Sequence, residues 1–221
     1  ALPGALAAAA VEHRRGRVLA PPRPLAGGWQ LELEPGGTLV ADQVVLAAGA
    51  GSRALAPGLP ERHRASWAGV LALPARPTPS AAAASPWLRH AAACRIVQPR
   101  HWQRPSLEAQ AAGLRQERWI VDAGFAPHGD GLLLGQISLV RPGLDTGEPP
   151  AAPEMEHRLR AALAGLDPEL AALPGPYRQV PVAFCGGGLP LVGPLGDTAG
   201  LWVFSGFGGA FAQVPVLAPL L

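Results

Sequence analysis

The stretch LWVFSGFGGAFAQVPVLAPLL, which closes the chain, constrains the fold more than any other part of the sequence. Its apolar start, 201–204, reads as a strand. Gly206, Gly208 and Gly209 follow, with Phe207 among them, and Ala210 and Phe211 open an apolar helix. Where a helix begins, the first backbone N–H groups have no partner inside the helix. Glycines just before that point remove the side chains that would keep a ligand away. Free N–H groups and bare backbone together can receive an anion, or the polar edge of a flat ring. A plain hairpin would not need three glycines so close together.

A second strand of the same kind lies in GGTLVADQVVLAAGAGS. Here 44–48 is apolar without alternation, as in a strand buried on both faces. It runs into Ala48, Gly49 and Gly51, and 52–55 reads as a short helix. Gly49, Gly51 and Ala54 can be written GxGxxA, the pattern of a dinucleotide turn. That fingerprint also requires an acidic residue about twenty positions on, and SWAGVLALPAR at 66–76 has none. A glycine turn at a sheet edge accounts for the pattern almost as well.

Between these ends the sequence changes character. WAGVLAL, CRIVQ, RWIVDAG and LLLGQISLV read as strands separated by long loops, and HGDGLL holds an Asp-Gly pair of hairpin type. An antiparallel sheet is expected across 66–141, with the Ala/Pro/Ser stretch 74–86 as an irregular, mobile excursion. Residues 151–173 predict one helix with Leu159, Leu163 and Leu166 on its apolar stripe, and YRQVPVAF predicts a further strand. Near the start, 2–14 predicts a helix, followed by short strands at RVLA and WQLELE.

Much is excluded. All eighteen basic residues are arginine, so neither a lysine Schiff base nor a P-loop can be built; with the abundant Ala, Gly and Pro this reads as bacterial coding bias. The formal charge is +2 and no basic block exceeds a pair, which argues against a nucleic-acid surface. No apolar run reaches the roughly 18 residues of a membrane span. Cys94 and Cys185 are far apart and are read as free thiols of a reducing compartment, the cytoplasm. The six histidines have no metal-ligand spacing and read as solvated. Ser205 lacks a GxSxG elbow. Asp122 and Asp130 flank a hairpin, as a carboxylate pair or simply as turn and strand-end residues. Residue 1 is alanine, the only methionine is Met155, and Leu221 falls inside an apolar run, so the chain reads as a fragment.

Taken together, ADQVVLAAGAGS, WAGVLAL, FAPHGDGLLLGQISLV, GGGLPLVGP and the closing glycine stretch resemble, in order and spacing, the FAD-dependent D-amino-acid oxidase and glycine oxidase (DAO) family. The resemblance implies an α/β fold. An incomplete Rossmann-type FAD-binding domain, 1–60 and 178–221, would carry an inserted antiparallel-sheet substrate domain, 61–177. It implies that FAD lies near Ala48, Gly49, Gly188, Gly206, Phe207, Gly208, Gly209, Ala210 and Phe211. The implied substrate is a small amine or amino-acid-like molecule, whose C–N bond is oxidised by hydride transfer to the flavin. Two substrate-gripping arginines of such enzymes fall here on Val182 and Gly209, so an amino-acid substrate loses its support. No residue takes a catalytic role, because the cofactor carries the chemistry. The family's GxGxxG turn is not in the sequence. The chain alone is therefore expected to be marginally stable, to bind FAD weakly or not at all, and to be inactive; the alternative is a truncated, non-catalytic remnant or binding module.

Overall fold

His63–Leu73 forms an eleven-residue strand that is buried along most of its length and carries a neighbour on each side. The structure, a computed structural model, describes residues 2–93, 96–97, 103–197 and 199–221. In chain order the strands are β1 (Arg17–Val18), β2 (Arg23–Leu25), β3 (Gly28–Glu34), β4 (Thr38–Ala41), β5 (Val44–Leu46), β6 (His63–Leu73), β7 (Arg118–His128), β8 (Gly131–Val140), β9 (Tyr177–Cys185), β10 (Leu191–Pro194) and β11 (Leu201–Ser205). The α-helices are α1 (Leu2–Ala8), α2 (Ser52–Leu55), α3 (Pro79–Ala84), α4 (Pro86–Ala92), α5 (Gln103–Gln110), α6 (Ala152–Leu166), α7 (Pro168–Ala172) and α8 (Ala210–Leu217).

Among the described residues these make a mixed α/β fold with three sheets. The largest is wholly antiparallel, in the order β7-β8-β6-β9. β7 and β8 join through Gly129 and Asp130, so the turn lies one residue earlier than the Asp-Gly pair indicates. β9 pairs with β6 from His63↔Cys185 to Leu71↔Tyr177. Hydrogen bonding thus carries this sheet past residue 177, the expected boundary, as far as Cys185. A small antiparallel sheet holds β1 to β4. The third sheet runs β10-β11-β5, with β11 parallel to β5 and antiparallel to β10.

Side-chain alternation separates the two faces of the large sheet. On one face Leu71, Leu134 and Phe125 meet Met155, Leu159 and Leu163, which recur at every fourth position of α6. Each such side chain contributes roughly 1.5–3 kcal/mol on burial. The opposite face packs Ile120, Val140 and Phe184 against Leu107 of α5, and among the described residues part of the rest lines a cleft, described below.

Several expectations need correction. The 151–173 helix is two helices: Asp167 is extended, at φ −163° and ψ 115°, and its side chain accepts from Glu169 N at 2.9 Å. Pro168 follows, and a residue before proline is pushed out of the helical region. The 74–86 stretch is not irregular, since its alanines form α3 and Ser85 caps α4, accepting from Trp87 N at 3.1 Å. β5 is not buried on both faces: Val44 and Leu46 pack against Trp29, but Val45 points to the opposite face and is 46% exposed. α1 ends at Ala8, with Ala10 left-handed at φ 55°. Of the expected CRIVQ strand, Cys94, Arg95 and Gln98 lie outside the described residues, while Val97 bridges Phe125.

Candidate functional site

Parallel strands set side by side point their carboxyl ends the same way, and open α/β sheets take ligands just beyond those ends. β5 runs out into Ala48 and Gly49, and β11 into Gly206, Phe207, Gly208 and Gly209. Ser205 Oγ donates to Gly49 O at 3.4 Å, so the two exits are adjacent. Gly209 then precedes α8, in whose first turn Ala210 and Phe211 lie.

Beyond the second exit is a cleft of about 650 Å³. One wall is the glycine turn and helix start: Phe207, Gly208, Gly209, Ala210 and Ala212. Val182, Ala183 and Phe184 of β9 form the second. The floor is the face of the large sheet away from α6, with Ser66, Gly124, Gly135 and Gln136, and α5 closes the far side. A Cβ placed on Gly208 would meet nothing within 4 Å, and one on Gly209 only the side chain of Gln213 at 4.0 Å. Backbone here is bare beside empty space, as an approaching ring requires.

Gly206 differs. Its φ is +81°, and a Cβ there would overlap Cys185 Sγ. This glycine serves the chain's own packing. Gly188 lies in the turn after β9, linked to Gly209 through one side chain: Gln213 Oε1 accepts from Gly209 N at 3.2 Å and its Nε2 donates to Gly188 O at 3.4 Å. Ala48, Gly49, Gly188 and Gly206 do not line the cleft, whereas Phe207 to Ala210 do. Phe207 also packs on Phe204, with ring centroids 4.6 Å apart. Both positions expected to hold a substrate arginine, Val182 and Gly209, are at the cleft wall without charge.

Sequence reasoning missed the charged side of the cleft. Arg104 of α5 donates from Nε to Asp122 Oδ2 at 2.7 Å and from Nη2 to the same oxygen. Nη2 also donates to Ser138 Oγ at 2.9 Å, and Nη1 lies 3.7 Å from Glu108 Oε1. Burial pushes the Glu108 carboxyl above its ordinary pKa, opposed by Arg104 and reinforced by Asp122. Arg104 and Glu108 stand four residues apart, one helical turn, in a segment whose sequence reads as loop. Asp122 faces the cleft because β7 alternates; Asp130 is in the hairpin turn, so the two do not form a pair.

Beneath the glycine turn is a buried polar cluster. His63 Nε2 lies 2.9 Å from Ser205 Oγ, and Ser52 Oγ donates to that oxygen at 3.3 Å. His63 is 1% exposed, contrary to the expectation of a solvated ring. Burial first, then the charges of Arg53 and Arg62, lower its pKa, so it is neutral. Its Nδ1 is buried and meets no hydrogen-bond partner among the described residues. A nucleophilic serine needs a base oriented from behind, and this one has no such support. The cluster instead ties β11, β6 and the turn after β5 together. Cys185, a free thiol, is buried here and its pKa is raised. Among the described residues no group of three His, Cys, Asp or Glu could hold a metal, and no helix is long and apolar enough to cross a membrane.

A parallel strand pair exiting through glycines leaves a cleft between the glycine turn and one face of the antiparallel sheet. The chain's family is shown by comparison. The family model "FAD dependent oxidoreductase" (DAO) matches residues 1–221, and the chain belongs to that family, whose members normally use FAD. Among solved structures, glycine oxidase from Geobacillus kaustophilus is similar with a TM-score of 0.62 at 17% identity, over 94% of this chain and 47% of that one. Iminodiacetate oxidase from Chelativorans sp. BNC1 gives 0.58 at 17% identity, over 97% and 50%. The fructosyl amine:oxygen oxidoreductase Amadoriase I from Aspergillus fumigatus gives 0.56 at 18% identity, over 92% and 44%. The chain therefore spans about half the length of these oxidases. No curated protein matches its sequence.

Proposed function

We propose that this chain forms part of an FAD-dependent oxidoreductase acting on the C–N bond of a small amine or amino-acid-like substrate. The observation that carries this reading is the cleft itself, bounded by the bare backbone of Gly208 and Gly209 at the carboxyl end of β11. In this reading the parts around β5, β10 and β11 belong to a Rossmann-type FAD domain, and the large antiparallel sheet is an inserted substrate domain whose last strand is β9.

FAD, when bound, supplies the hydride acceptor that turns an amine into an imine. The chain's own residues bind and orient. Gly208 and Gly209 offer bare backbone for close approach, and the first turn of α8 offers N–H groups to the polar edge of the ring, the Gly209 N–H being held by Gln213. Phe207 and Phe184 present apolar surface that excludes water from the substrate side. Glu108 and Asp122 set the charge at the opposite wall. The sequence has no GxGxxG turn, and GAGSRA at 49–54 folds as one 3₁₀ turn and the four-residue α2, too short to cradle a pyrophosphate. That feature favours a second reading, a non-catalytic binding module of the same fold.

Fluorescence titration of the 221-residue chain with riboflavin and with FAD tests the proposal. Ring contacts without a pyrophosphate cradle predict weak binding of both, within about threefold of each other. Tight stoichiometric binding of FAD alone would contradict the lack of a pyrophosphate cradle, and no binding of either would contradict the cleft as a flavin site. Anaerobic bleaching of the bound flavin by an amine supports the oxidoreductase; binding without bleaching supports the binding module.

A further inference from the structure

The charge pattern of the cleft bears on which substrate it would take, and this step rests on reading the cleft as the substrate side of a flavin site. Among the described residues its ionisable lining is Arg104, Glu108 and Asp122, one positive group against two negative ones. The positive group is already engaged. Its Nε and Nη2 donate to Asp122, and Nη2 donates to Ser138 as well. A guanidinium held by a carboxylate and a hydroxyl keeps few N–H groups for an incoming anion. That anion would also have to settle beside two carboxylates.

Glu108 is placed differently. Its side chain is 15% exposed, and Arg104 Nη1 stands 3.7 Å away, outside hydrogen-bond reach. A largely desolvated carboxylate whose ion pair with Arg104 is long, at 3.7 Å, gains from a donor cation that enters. Burial already acts against its charge, in keeping with that need. Val182 and Gly209 contribute no charge to the opposite wall, and Phe184 and Phe207 make it apolar.

We propose that the cleft selects an amine that presents its ammonium group to Glu108 on an apolar body and carries no carboxylate. Arg104 is a positioning residue in this arrangement, since it holds Asp122 and lines up the acidic wall. Its Nε and Nη2 are committed to Asp122 and Ser138, and its Nη1 faces Glu108.

The test is calorimetric binding of n-butylamine and of butyrate, probes of equal length and opposite charge, to the flavin-free chain and again with saturating riboflavin. The amine is expected to bind at least about tenfold more tightly than the acid, as one charge-assisted hydrogen bond implies. Glu108→Gln keeps the shape of the side chain and removes a charge that burial disfavours; it is expected to bring the two affinities together. Val182→Arg, on a strand face 38% exposed, adds a cation to the wall and is expected to shift preference towards butyrate. Equal affinities, binding of neither probe, or a preference for the amine that survives both substitutions overturns the proposal. The flavin-free arm keeps a failure of the flavin reading separate from a failure of this one.

Discussion

His63 and Gly206 meet beneath the glycine turn, and neither behaves as its residue type indicates. Histidine in the Arg-rich segment ERHR reads as solvated, yet β6 turns this ring inward against Ser205. Two neighbouring arginines then help to keep it neutral: Arg53, whose Nη2 donates to His63 O at 2.6 Å, and Arg62. Facing it are also Cys185 and Ser52, uncharged. Because the folded pKa lies below the unfolded value of 6.5, the unfolded chain binds the proton more readily. Stability tied to His63 is complete above that value and falls away as pH drops below it. Denaturant unfolding at about pH 7.5 and about pH 5 should show the wild type losing more stability than His63→Gln. Equal losses would mean that the ring is not held neutral by the fold.

At the scale of elements, legibility followed local chemistry. Strands could be read at WAGVLAL, RWIVDAG and LLLGQISLV, each shorter than the strand that forms, and Leu159 and Leu163 were placed rightly on the stripe of α6, whereas Leu166 is 51% exposed and Met155 takes its place. Breaks set by one residue could not be read. Asp167 ends α6, caps α7 and accepts from Ser85 Oγ, which itself caps α4. Two helix caps, eighty-two residues apart in sequence, are therefore joined by one hydroxyl-to-carboxylate hydrogen bond, and no short window of sequence contains both. Ser85→Ala removes a cap and a bond to a carboxylate, and should lower unfolding free energy by about 2 kcal/mol. Serine-to-threonine at the same position should retain most of it; chemical denaturation of the two variants distinguishes a lost hydroxyl from altered packing. The cleft shows the same division. Its glycine wall was visible as a strand-to-helix turn, whereas its charged wall joins α5 to β7 and β8 through Arg104, a contact between segments that only the folded sheet brings together.

The molecule as a whole is organised by where its sheets face. The large antiparallel sheet uses one side for its core and leaves the other towards the glycine turn, and the parallel pair β5 and β11 delivers that turn to the cleft. Membership of the FAD dependent oxidoreductase family and the likeness to about half of glycine oxidase fit this division. The central claim is that the backbone of Gly208 and Gly209 is the flavin-facing wall. The most direct measurement is the visible circular dichroism that a flavin acquires on entering a chiral site, recorded for the wild type and for Gly208→Val. A Cβ at Gly208 meets open space, so the variant should fold with an unchanged far-ultraviolet spectrum and lose the induced flavin signal. An induced signal of equal strength in Gly208→Val would contradict the account and move the ring away from the glycine turn.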